Sequence, residues 1–106
     1  MKKFFAALVI STVVFAIPAL AATTTLTGVV TDDMCGAKHM MPGKSDADCT
    51  RACVKHGAHF ALSVNDKVYI LNGKTAEINA LAGSKATVKG DLNGNVLNVT
   101  SIAAAK

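Results

Sequence analysis

Lys85-Ala86-Thr87-Val88-Lys89-Gly90-Asp91-Leu92, then Asn93-Gly94, then Asn95-Val96-Leu97-Asn98-Val99-Thr100-Ser101-Ile102: this stretch decides the fold. Apolar and polar residues alternate on either side of an Asn-Gly pair, which is the pattern of a half-buried strand turned back on itself. Upstream the same period recurs. His59 to Val64 pairs through Asn65-Asp66 with Lys67 to Leu71, a second expected hairpin. Between the hairpins, Thr75 to Leu81 reads as a short helix with Ile78 and Leu81 on one face and Gly83 as its stop. Thr23 to Thr31, rich in Thr and Val, gives a first strand that Asp32-Asp33 ends. Ala103 to Lys106 is expected to fray.

A second helix is signalled between the first strand and the first hairpin. Ser45 is its N-cap, Asp46 and Asp48 lie in its first turn, and Lys55 and His56 suit its negative end, with Gly57 as the C-cap. Met34 to Lys44, with Gly36, Pro42 and Gly43, reads as a loop. The expected class is therefore mainly β: a five-stranded OB-like barrel, with a Cys-bearing helix inserted after strand 1 and a short helix between strands 3 and 4. Closure suits a short chain because it removes exposed edges. An open α+β sheet with the same element order is the rival.

The first 21 residues read as a signal peptide. Lys2 and Lys3 give a basic start, Phe4 to Ile17 is almost wholly apolar, and Ala19-Leu20-Ala21 is a small-x-small cleavage pattern. The apolar run is shorter than the roughly 20 residues of a bilayer span, so no permanent membrane anchor is expected. Residues 22–106 then form a single domain, periplasmic or secreted, with a Cys/His-rich insertion at 34–57. Without Lys2 and Lys3, nine Lys and Arg residues face seven Asp and Glu, a net charge of +2. That balance, with one Tyr and no Trp, gives no platform for nucleic acid.

Every cysteine and histidine lies between Cys35 and His59. Thiolate, imidazole and thioether are the donors that hold zinc or copper. Cys49, Cys53 and His56 share one stripe of the inserted helix, and Cys35 and His39 are likewise four apart. The nine residues from Met40 to Asp48 are long enough to fold the two pairs together. Cys35, His39, Cys49 and Cys53 are the expected metal ligands, with Met40 and His56 in reserve. The competing account is a disulfide from Cys35 to Cys49 or Cys53, a staple worth roughly 3 kcal/mol. It would leave a structural or interaction module with one free thiol. A Cys49–Cys53 bridge would strain the helical turn that carries both.

An enzyme is the third reading, as a thiol redox protein. Cys-x3-Cys is not the Cys-x2-Cys of that chemistry, and no Ser-His-Asp order, paired carboxylates or phosphate loop is present. Asp32 and Asp33 either end a strand or orient His39 from behind. His59 reads as ordinary surface, and the methionines around the cysteines as gap-fillers. The implied partner is a metal ion or small ligand.

Thr27-Gly28-Val29-Val30-Thr31-Asp32-Asp33-Met34-Cys35-Gly36-Ala37-Lys38-His39, together with Cys49-x3-Cys53, is similar to a family of small exported bacterial proteins of uncharacterised function. Leu81 to Asp91 with Val99 to Ile102 resembles the closing half of small bacterial OB-fold proteins. The resemblance implies an OB-like fold and an exported location, and brings no substrate or reaction.

Overall fold

The computed structural model describes residues 9–13, 23–36 and 45–106. Seven elements follow one another: β1 (Thr23–Asp32), α1 (Asp46–Lys55), β2 (Phe60–Val64), β3 (Lys67–Asn72), α2 (Thr75–Ala80), β4 (Lys85–Asn93) and β5 (Val96–Ala104). The strands form one sheet in the order β1-β2-β3-β5-β4, and β4 pairs back onto β1 to close it into a barrel. All pairings are antiparallel except β3 with β5, a short parallel seam running from Ile70↔Val96 to Asn72↔Asn98. The rival open sheet is not formed. Most of the signal-peptide stretch, and residues 37–44 of the loop expected over Met34 to Lys44, lie outside the described residues. No helix among the described residues is long and apolar enough to cross a membrane.

Alternation sets which side chains face inward. In register, Val30 lies opposite Leu62 and Leu26 opposite Val88, so β1 contributes one row to the core while Thr23, Thr25 and Thr27 face out. Val30, Leu62, Val88 and Leu97 are completely buried, with Phe60, Leu71, Ala86 and Val99 packed around them. The short helix α2 brings Ile78, 1% exposed, into the same cluster. Its exit is tied to β1: the Gly83 N–H donates to the Val30 carbonyl at 2.8 Å, and the Val30 N–H to the Ser84 carbonyl at 2.9 Å. Gly83 has φ +77°, and a Cβ there would stand 2.5 Å from the Ala47 nitrogen, so only glycine lets this connection lie against the start of α1.

The first hairpin turns where expected, with Asn65 and Asp66 both at positive φ, as a type I′ turn requires. The second turns one residue later than expected. Asn93 pairs with Val96, so Gly94-Asn95 is the loop. Gly94 takes φ +63° and neither Asn93 nor Asn95 is left-handed, which suits a type II′ turn with Gly first. The tail is a further correction. β5 continues to Ala104, opposite Ala86, and the Ala105 N–H donates to the Lys85 carbonyl at 2.9 Å. The start of β4 offers backbone partners that the tail satisfies, so Ala103 and Ala104 are strand.

Candidate metal centre

Helix α1 starts and stops on local chemistry. The Ser45 hydroxyl accepts the Asp48 N–H at 3.2 Å, Asp46 and Asp48 complement the positive end, and Lys55 the negative one. At the other end the Ala58 N–H donates to the Cys53 carbonyl and the Gly57 N–H to the Val54 carbonyl, with Gly57 at φ +102°: a Schellman closure. This locks the turn that carries Cys53. The helix lays Cys49 and Cys53, 0% and 2% exposed, on its buried face, with Thr50 beside them.

Cys35 comes from the tight turn that follows β1. Asp32 Oδ1 accepts the N–H groups of Met34 at 3.0 Å and Cys35 at 2.8 Å, and the Gly36 N–H donates to the Asp32 carbonyl at 2.9 Å. The Thr31 hydroxyl donates to the Gly36 carbonyl at 2.7 Å, and Gly36 takes φ +60°. Four bonds across five residues therefore set the direction of the Cys35 side chain.

The three sulfurs meet. Cys35 Sγ lies 3.5 Å from Cys53 Sγ and 3.8 Å from Cys49 Sγ, and all three fall within 4.8 Å of one another. A disulfide needs about 2.05 Å, and all three cysteines are free, so neither expected staple is formed. Sulfurs bound tetrahedrally to one zinc at about 2.3 Å stand about 3.8 Å apart, and the observed separations match that edge. Burial is the main cause pushing the Cys53 thiol up to about 12. The Cys35 contact, the Asp32 charge and the other two thiols add to it. An ion entering here must displace protons, as thiolate ligands require.

His39 and the reserve Met40 lie outside the described residues. His56 is exposed at the C-cap of α1 and is not among the converging ligand atoms. It caps the negative end of the helix. His59 is also exposed, but it has a defined partner. Its ring Nδ1 and its backbone N–H both reach Asp33, at 2.9 Å each. Partial burial pushes the Asp33 carboxyl up, and the His59 hydrogen bonds and charge outweigh this, holding it below its usual value. So Asp33 anchors the start of β2, a role that its position next to a strand end did not reveal.

The burial of two polar groups was not indicated by the sequence. Asp32 is 0% exposed, and its Oδ2 has no hydrogen-bond partner. The Thr50 hydroxyl is equally buried and unpartnered. The nearest sequence signal was Asp32 three residues before Cys35, the spacing of a side-chain-closed turn.

A separate cavity of about 660 Å³ opens on the other side of α1, lined by Arg51, Val54, Lys55, Phe60, Ala76 and Asn79 among others. Arg51 crosses it to donate to the Asn79 carbonyl at 3.0 Å, tying α1 to α2. None of the thiols lines it. No family model, curated protein or solved structure matches this chain, so the reading of the centre rests on its own geometry.

Proposed function

We propose that this is a small exported binding protein that holds a soft transition metal, zinc or copper, through Cys35, Cys49 and Cys53. The observation that carries the reading is the pair of sulfur separations, 3.5 and 3.8 Å, at the edge length of a tetrahedral thiolate site and well beyond a disulfide. Two sulfurs come from a capped helix and the third from a turn closed by its own hydrogen bonds, so little rearrangement is needed on loading. His39, four residues after Cys35, is the proposed fourth ligand, with Met40 as its substitute.

The scaffold reading is an OB-like barrel with the Cys-bearing helix inserted after its first strand. The strand order, the parallel β3–β5 seam and the helix between β3 and β4 support it. The basic start at Lys2 and Lys3, the apolar run and Ala19-Leu20-Ala21 support export. Binding, rather than catalysis, is the activity proposed, because burial holds the Cys53 thiol protonated up to about pH 12, the opposite of an activated nucleophile.

The test is elemental analysis of the purified protein together with thiol titration before and after a chelator. A metal near one equivalent, and three thiols that become reactive only after chelation, are expected. One reactive thiol and no metal would establish the disulfide-stapled module instead.

A further inference from the structure

Asp32 is the one Asp, Glu, Lys or Arg side chain among the described residues that is fully buried. Burying a carboxylate is costly unless hydrogen bonds or an opposite charge compensate. Half of that compensation is visible: Oδ1 accepts the N–H groups of Met34 and Cys35. Oδ2 has no partner. The carboxylate is tied directly to the cluster, since Oδ1 holds the N–H of Cys35 at 2.8 Å and the Cys35 sulfur lies against the other two. Negative charge is thus gathered beside three sulfurs that a metal would convert to thiolates.

We propose that Asp32 is a specificity-determining residue of the three-sulfur site, biasing it toward a divalent ion such as zinc and against monovalent copper. The inference rests on the proposed metal reading and adds the choice of ion to it. Three thiolates and one carboxylate carry four negative charges; a divalent ion leaves two of them uncompensated and a monovalent ion leaves three. The attraction between Asp32 and the bound ion scales with the charge of the ion, whereas its repulsion of the thiolates is the same for either. That repulsion cancels when the two ions are compared, and the attraction does not. Sulfur donors by themselves favour monovalent copper. A buried carboxylate is the feature of this centre that works in the opposite direction.

The full chain, reduced and metal-free, is titrated with zinc(II) against a chromophoric chelator, and separately with copper(I) against a copper(I)-specific chelator under anaerobic conditions. Wild type is compared with Asp32→Asn and Asp32→Ser. Both substitutes remove the charge and keep an oxygen that can accept the Met34 and Cys35 N–H groups, and circular dichroism confirms the fold of each. The ratio of the zinc Kd to the copper Kd should rise by roughly tenfold or more in either folded variant, whichever way the separate affinities move. An unchanged ratio in a folded variant overturns the proposal, because a purely structural role for Asp32 would weaken both ions alike. Wild type that binds neither ion overturns the metal reading itself and the selectivity with it, and this is seen before any variant is made.

Discussion

Cys35 Sγ stands 3.5 Å from Cys53 Sγ although the two residues belong to different elements, one a turn after β1 and the other the last full turn of α1. The contact joins the inserted helix to the sheet through the groups with the most chemistry. If it serves a metal, each sulfur should be needed separately. Cys35→Ser, Cys49→Ser and Cys53→Ser should each lower zinc affinity by more than the roughly 10- to 100-fold typical of outer partners. His56→Ala should leave it unchanged, since that ring is exposed at the helix end. Competition against a chelator measures all four. Wild-type affinity in any of the Ser variants would remove that sulfur from the site.

The raised Cys53 value makes a pH prediction with a definite sign. In the unfolded chain this thiol ionises near its ordinary 9.0, and in the folded chain it holds its proton to about 12. Between those values the unfolded state binds fewer protons, so the free energy of unfolding falls as pH rises. The metal-free protein should therefore have its full stability below about pH 9 and lose it progressively toward pH 12. Denaturant midpoints in a reducing, chelating buffer would follow the loss. In Cys53→Ser the slope over this window should be shallower, and an equal slope would assign it to other groups.

Thr50 offers a stabilising change. Its hydroxyl is buried without a partner, so Thr50→Val keeps the branched shape and removes an unsatisfied oxygen. A gain of about 1 kcal/mol is expected. A loss of stability on thermal or urea melts would mean that the hydroxyl is satisfied in solution.

Ile78 tests whether α2 is part of the core. It is 1% exposed and packs in the same cluster as Val88 and Leu97. Ile78→Ala should cost about 2–5 kcal/mol of stability. Because no cysteine belongs to that cluster, zinc affinity measured at a temperature where the variant is folded should match wild type.

Much of the scaffold was legible because its signals are local. Ser45 caps α1, Gly57 closes it, and Asn65-Asp66 turn the first hairpin, as those residue types at those positions indicate. The second turn was placed one residue early, since Asn93-Gly94 and Gly94-Asn95 both offer a glycine and only the pairing of Asn93 with Val96 decides between them. Ala103 and Ala104 carry no strand signal of their own, and the available edge of β4 recruits them. At the candidate centre, ligand chemistry and helical spacing marked Cys49 and Cys53, whereas their approach to Cys35 depends on how α1 lies against β1. Asp32 was visible as the end of a strand or as a group orienting His39. Its burial is a consequence of that packing, and no pattern along the chain encodes it.

The pairing of β1 with β4 has a consequence for biogenesis. Thr27 lies opposite Thr87, so β1 waits for β4, some sixty residues further along the chain, before the cylinder can close. Contacts this distant along the chain form late. A nascent polypeptide that has released only its first two thirds has an incomplete cylinder and an uncovered β1 edge. The sulfur triad has a support that forms earlier, because the end of β1 that leads into Cys35 pairs with β2, from Val29↔Ser63 to Asp32↔Phe60.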